Sequence, residues 1–123
     1  MLPRRHRLSQ RADFARLRGQ GRRVAHPLAV LVVCRQPVSA NEGHSRFAFV
    51  ASRRVGNAVR RNRAKRLLRT AVGQYLTQIP PGWDCLCIAR TDTATAEYAD
   101  VYTAVGQLLQ RARLLPSDPT NAE

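Results

Sequence analysis

Between Arg46 and Trp83 the chain contains no aspartate or glutamate, although nine arginine and lysine residues fall in that stretch. Long apolar runs are also missing. The longest, Leu28 to Cys34, is seven residues, against the roughly 20 that a membrane-spanning helix requires. The opening Met1-Leu2-Pro3-Arg4-Arg5-His6-Arg7-Leu8 is charged and no apolar stretch follows it, so it does not read as a secretory signal. Cysteine is scarce and odd in number: Cys34, Cys85 and Cys87. With no second Cys/His pair at zinc spacing and with His6, His26 and His44 scattered, neither a disulfide framework nor a zinc site is expected. Reduced core thiols in a cytoplasmic protein are the expectation. Cys85-Leu86-Cys87 would put both thiols on one face of a strand, because side chains alternate.

Catalytic constellations are equally hard to assemble. The eight carboxylates are Asp13, Glu42, Asp84, Asp92, Glu97, Asp100, Asp118 and Glu123. Glu97 and Asp100, at i, i+3 near the start of a helix, suit the helix dipole better than acid/base work. Ser52 has no histidine close in sequence, and there is no Gly-x-Ser-x-Gly elbow. Neither a Gly-x-x-x-x-Gly-Lys loop nor a His-Glu-x-x-His helix occurs. Any chemistry in which this chain takes part is expected to be supplied by another component.

What the chain does have is positive charge, unevenly placed. The 123 residues carry a formal +13; residues 1–69 hold 18 basic and 2 acidic side chains, residues 70–123 hold 3 and 6. This length suits one domain with a single core. Such asymmetry concerns partners rather than fold: nucleic acid first, an anionic membrane surface second. Lys65 is the single lysine among 21 basic residues, which fits either bidentate phosphate contacts or a genome rich in arginine codons.

Along the chain, residues 1–9 read as a flexible basic arm. A short helix is expected over 10–18, with Ser9 as its N-cap, Phe14 and Leu17 on one face, and Gly19 and Gly21 ending it. A short strand near Arg22–Ala25 precedes two Val- and Phe-rich runs, Leu28–Cys34 and Arg46–Ser52. These read as neighbouring antiparallel strands joined by a loop at 37–43. The main helix is expected to start at Gly56 or Asn57 and run to about Leu76. Ala64, Leu67, Leu68, Ala71 and Tyr75 form its apolar stripe, and Arg61, Asn62, Lys65, Arg66 and Arg69 fall on a different arc. Pro80-Pro81-Gly82 breaks it before a strand over Asp84–Ala89. A last helix over about 94–115 has Tyr98, Val101, Tyr102, Val105, Leu108, Leu109 and Leu115 at core spacing. Residues 116–123 read as a disordered tail. The order α-β-β-β-α-β-α describes a single-domain α+β sandwich spanning residues 1–115.

The cations of the main helix have no interleaved acids with which to form i, i+4 pairs, so they repel one another unless a polyanion is bound. Backbone N–H groups at Gly56-Asn57 add a helix-start anion site, and Asn62 could donate to a phosphate or a 2′-hydroxyl, or hold a hydrated metal bound to the RNA.

The run Arg54-Val55-Gly56-Asn57-Ala58-Val59-Arg60-Arg61-Asn62-Arg63-Ala64-Lys65-Arg66-Leu67-Leu68-Arg69 closely resembles the signature of the bacterial ribonuclease P protein subunit. That signature is a basic residue followed by x-Gly-x-Ala-Val-x-Arg-Asn-x-x-Lys-Arg-x-x-Arg. The resemblance extends from Leu8–Phe14 and Gly21–Val24, through Phe47–Ser52, to Cys85–Arg90, covering residues 8 to about 115. It implies the ribosomal protein S5 domain 2-like fold, with a left-handed β-α-β crossover, an exception to the usual hand. It implies assistance to an RNA enzyme that removes the 5′ leader of precursor tRNA. The RNA subunit is the catalyst and uses Mg²⁺; no cofactor is assigned to the protein, nor a membrane or small-molecule substrate. By the same resemblance, Arg53, Arg54, Asn57, Arg60, Arg61, Asn62, Arg63, Lys65, Arg66 and Arg69 should contact the catalytic RNA. Arg11, Phe14, Arg18, Leu31 and Ser52 should line a cleft for the leader. Phe14 matches the family's cleft aromatic, and an exposed ring there would stack on bases, whereas a buried ring would be core. Arg18 and Leu31 stand where the family has further aromatics, so leader binding here should lean on Arg18. A general or ribosomal RNA-binding protein and a helix-based DNA-binding module are the competing readings.

Overall fold

A computed structural model describes residues 2–36 and 44–116; the expected loop at 37–43 and the tail from 117 lie outside the described residues. The chain forms helix α1 (Arg11–Gln20), strands β1 (Arg22–His26), β2 (Ala29–Arg35) and β3 (Arg46–Val50), helix α2 (Ala58–Tyr75), strand β4 (Trp83–Ala89) and helix α3 (Tyr98–Arg111). Among the described residues no helix is long and apolar enough to cross a membrane.

The strands make one sheet in the order β1-β2-β4-β3. β2 pairs antiparallel with β1 (Val24 opposite Leu31) and with β4 (Val32 opposite Leu86). β3 pairs parallel with β4, Phe47 opposite Cys85. The expectation that β2 and β3 are neighbours is therefore corrected: β4 inserts between them. Parallel neighbours need a long crossover, and α2 supplies it. A β4 of Trp-Asp-Cys-Leu-Cys-Ile-Ala, buried on both faces, belongs at the centre of a sheet rather than at its edge.

Alternation along the strands splits the core in two. Val24, Leu31, Val33, Phe47, Cys85 and Cys87 face α2 and α3, meeting Leu68, Val72, Val101 and Leu109. Val30, Val32, Cys34, Ala48 and Leu86 face the other way and meet Leu17 of α1. Cys85 and Cys87 thus share a face as expected, with Cys34 on the opposite one. Burial drives both thiols upward, Cys87 to about 12.

The amino-terminal residues are not a free arm. Leu2 and Leu8 are buried, one in each core, and the segment between them wraps the edge of β3. Arg7 bridges to Phe47, and the Leu8 N–H donates to the Phe47 carbonyl at 2.8 Å. Two leucines each have an apolar destination, and covering an edge strand satisfies part of its unpaired backbone.

The Ser9 cap is also corrected: the N-cap of α1 is Gln10, with no side-chain cap bond. Gly19 lies inside the helix, and Gly21 ends it. At α2 the cap is Asn57, whose Oδ1 accepts from the Arg60 N–H at 2.9 Å. Gly56 before it has φ 138°, a backbone only glycine adopts freely.

The last helix is shorter than its periodicity suggested. Buried Thr93 donates to the Leu28 carbonyl at 2.6 Å and accepts from the Arg90 N–H, holding residues 93–95 in a separate 3-10 turn. At the other end Arg113 adopts φ 66°, and Leu114 and Leu115 fold back, both their N–H groups donating to the Leu109 carbonyl. Between α2 and α3, Tyr75 donates its hydroxyl to the Tyr102 carbonyl and stacks on the Tyr102 ring at 4.7 Å.

Candidate nucleic-acid interface

The helix formers Ala, Leu, Arg and Lys extend α2 over 18 residues. Ala64, Leu68, Ala71, Val72 and Tyr75 are buried, with Leu67 half-buried beside them. Burying one leucine such as Leu68 contributes about 2 kcal/mol, and this stripe docks the helix despite the cations on its other sides. Among the described residues no ion pair involves a cation of α2. No acid among the described residues neutralises its charge within 4 Å.

The cations differ in what else they do. Arg53 and Arg54 are exposed on a 3-10 turn, where Ser52 Oγ accepts from the Arg54 N–H at 3.3 Å. Arg60 Nε donates to the Val55 carbonyl at 3.3 Å, and Arg63 Nε donates to the Ala94 carbonyl at 2.7 Å. Arg63 therefore also ties α2 to the turn before α3. Asn62 and Arg66 are exposed; Lys65 is half-buried, as is Arg61, whose Nε has no partner. Arg69 lies over the Phe49 ring. Asn57 is exposed, but its Oδ1 is occupied as the helix cap.

On the other side of the sheet α1 leaves a cleft. One pocket, about 280 Å³, is lined by Leu17, Arg18, Gly21, Arg23, Val32, Leu86 and Ile88. A second, about 270 Å³, lies between the amino-terminal segment, Phe14 and the β3 edge, and includes Arg7, Phe49 and Arg69. Phe14 and Arg18, at i and i+4 on α1, thus each line one pocket. Phe14 is half-buried against the apolar floor rather than enclosed. Arg11 is exposed on the first turn of the same helix.

Leu31 does not belong to this cleft. It is 1% exposed and packs toward α2 and α3. A one-residue shift along a strand exchanges the faces, and the cleft-facing position is Val32. Sequence reasoning also missed Arg23, which pairs with Val32 across the sheet and faces the same way. Period-two alternation from buried Val24 was the available signal.

A third feature was invisible in the sequence. Asp84 is 0% exposed at the end of β4. It accepts from Arg46 Nε at 2.9 Å and from another Arg46 nitrogen at 2.7 Å. Arg16 at 2.5 Å and Gln36 Nε2 at 3.2 Å complete its shell. Arg16 also reaches Asp13 at 2.9 Å, and Arg46 lies 3.5 Å from the same Asp13 oxygen. Burial by itself would raise the Asp84 carboxyl, but the donors of Arg46 and Arg16 outweigh it and hold the group below the usual carboxylate range. The Asp84 hydrogen bonds in turn raise Arg46.

A basic helix clear of acids on one side of a four-stranded sheet, and a cationic cleft on the other, define a small α+β domain of the nucleic-acid-facing kind. The family model for Ribonuclease P matches residues 2–113, and the chain belongs to that family, as a bacterial ribonuclease P protein. It is 42% identical over 113 residues to the ribonuclease P protein component of Herpetosiphon aurantiacus, covering 92% of this chain and 89% of the relative. It is 36% identical over 110 residues to that of Dehalococcoides mccartyi, covering 89% and 87%. Among solved structures it is similar to the RNase P protein of Staphylococcus aureus, with TM-score 0.79, 26% identity and coverage of 89% and 97%. The RNase P protein of Thermotoga maritima gives TM-score 0.73, 27% identity and coverage of 85% and 96%.

Proposed function

We propose that this chain binds the catalytic RNA of ribonuclease P through α2 and its preceding turn, and holds the 5′ leader of precursor tRNA in the cleft under α1. The observation that supports the reading most is the α2 surface, where no ion pair among the described residues neutralises a cation. Such a row gains free energy mainly by displacing counterions from a polyphosphate. Arg53, Arg54, Arg60, Arg61, Asn62, Arg63, Lys65 and Arg66 serve the RNA subunit, and Asn57 contributes by ordering the helix start. Arg69 stands at the junction of the two surfaces.

In the cleft, Phe14 offers a ring for base stacking, while Arg18 and Arg23 flank a floor of Val32, Leu86 and Ile88. Phosphate contact and arginine stacking replace a second aromatic ring. The protein cuts nothing itself. Hydrolysis of the leader bond belongs to the RNA subunit with its Mg²⁺, and the protein's part is affinity for, and alignment of, the precursor.

Reconstitution tests this directly. Pure protein should leave precursor tRNA intact, RNA subunit alone should need high Mg²⁺, and the two together should cleave at low Mg²⁺. Cleavage by RNA-free protein, or no effect of the protein on the RNA reaction, would overturn the proposal.

A further inference from the structure

Helix α1 is a weak element by composition. Of Arg-Ala-Asp-Phe-Ala-Arg-Leu-Arg-Gly-Gln, only Leu17 is fully buried, and Phe14 is half-buried. One apolar anchor locates a helix but leaves it free to roll about that point. Polar contacts at the far end of the sheet remove this freedom. Arg16 donates to Cys34 Sγ at 3.3 Å and to the Arg35 carbonyl at 2.9 Å, as well as to Asp13 and Asp84. With its fork directed at four protein acceptors, Arg16 points away from the cleft. Arg46 holds Asp84 from the opposite strand and sits beside Asp13. The side chains of Arg16 and Arg46 are only 16% and 20% exposed.

Phe14 and Arg18 lie on the flank of α1, two positions either side of Arg16. As i, i+4 neighbours they share one face of the helix, on the side of Leu17 away from Arg16, so any roll of α1 about Leu17 would turn both together away from their pockets. We propose that the Asp84–Arg16–Asp13–Arg46 cluster is a positioning device for substrate recognition. Asp84, acting through Arg16, sets the roll of α1, so that Phe14 and Arg18 face the two pockets in which a single-stranded leader lies. The inference rests on the cleft being the leader site. Arg16 and Asp84 are positioning residues; neither touches the RNA.

The test uses Arg16→Met, which keeps an unbranched stem against the sheet and leaves Asp84 neutralised by Arg46. Holoenzyme reconstituted with this variant is titrated with a precursor carrying a leader of several nucleotides and with leaderless tRNA. Binding of the RNA subunit is measured in parallel, and hydrogen exchange is followed along α1. The expected result is a loss on the order of tenfold in affinity for the leader-bearing precursor, about the effect of one lost base stack. Leaderless tRNA and RNA-subunit binding should be unchanged, protection should fall in α1 alone, and Arg16→Lys should restore part of the loss.

Wild-type leader discrimination in a folded Arg16→Met variant overturns the inference. So does a loss accompanied by a log–log salt slope shallower by roughly 0.7–0.9, because that is the mark of a direct phosphate contact. If wild-type holoenzyme itself shows no preference for the leader, the cleft reading fails, whatever the variants do. Should Arg16→Met not fold, Asp13→Asn takes its place. It removes one carboxylate from the cluster and leaves Asp84 fully paired, and the same readouts decide with a smaller expected loss.

Discussion

The guanidinium of Arg69 lies over the ring of Phe49, 5.6 Å from its centroid. This places the last cation of α2 against the β3 edge, in the pocket that Phe14 also lines. The two surfaces therefore meet at Arg69, three residues beyond Arg66, which is exposed on the same helix. A cation over an aromatic ring at such a site contributes about 0.5–1 kcal/mol, so Arg69 has a structural share that Arg66 lacks.

Substitution of these two arginines should separate the roles. Arg66→Ala should leave stability within about 0.5 kcal/mol of wild type and make the salt slope of RNA-subunit binding shallower by roughly 0.7–0.9. Arg69→Ala should weaken RNA binding too, but with a stability loss of about 0.5–1 kcal/mol and reduced discrimination for the leader. Filter binding across a salt series and urea denaturation measure both. An unchanged slope for Arg66→Ala would mean that this face is only solvated.

Phe14→Ala should fold, since the ring is half-buried and Leu17 carries the packing of α1. Its preference for precursor over mature tRNA should fall by about 1–3 kcal/mol, the range for one base–aromatic stack. Assembly with the RNA subunit should be untouched. A variant that unfolds instead identifies Phe14 as a core residue.

Two glycines in the same region should respond with opposite signs. A Cβ at Gly21 would collide with the Leu17 carbonyl and the Val32 side chain, whereas one at Gly19 would meet nothing within 4 Å. Gly21→Ala should cost about 1–3 kcal/mol by overpacking and should lower leader affinity by pushing α1 off the sheet. Gly19→Ala should stabilise by roughly 0.5–1 kcal/mol, as expected for glycine within a helix. Paired urea melts suffice as the check.

Acid should act through Asp84. Its folded-state carboxyl is held below the usual range by Arg46 and Arg16, against the opposing effect of burial. The unfolded chain therefore takes up that proton first. The network's stabilisation is fully present above an ordinary carboxyl value of about 4 and is lost as pH falls below it. Wild type should thus be level in this contribution from pH 5 to 8 and decline steeply under more acid conditions. Asp84→Asn should be less stable at neutral pH by about 3 kcal/mol, because two partly buried arginines lose their buried counter-charge and keep only the more exposed Asp13. Its further loss in acid should be smaller; an acid profile parallel to wild type would remove Asp84 from the account.

Thiol chemistry offers a simpler check of the core. Cys85 and Cys87 are fully buried and pushed toward the protonated form. Native protein at pH 8 should react slowly with a thiol reagent at these two positions, and the denatured chain should expose all three cysteines.

Periodicity located the three α-helices, because each buries one face and the buried positions recur at 3.6 residues. The strands were legible as short Val- and Phe-rich runs bounded by turn residues, since the central β2 and β4 are buried on both faces and do not alternate. Periodicity identified the buried stripe through Ala64, Leu68 and Tyr75 and left the cations of α2 facing outward. It failed where a side chain's partner is distant in sequence. The Leu31 assignment was wrong by one position, and one position on a strand is the whole distance between core and cleft. The 1–9 segment looked free because six of its residues are polar or proline, while Leu2 and Leu8 find their burial only against β3 and the helices. The 3-10 turn that shortens α3 depends on Thr93 meeting Leu28, 65 residues away.

The sequence by itself determined the element order, the acid-free cationic helix and the family, since these rest on local spacing and residue type. Only the tertiary structure decided that β4 lies between β2 and β3, that Val32 and Arg23 face the cleft, and that Asp84 gathers Arg16 and Arg46. Those outcomes depend on which strand pairs with which and on groups 38 and 68 residues apart sharing one buried carboxylate. No local pattern encodes such pairings, because they form only when the whole sheet closes over its two cores.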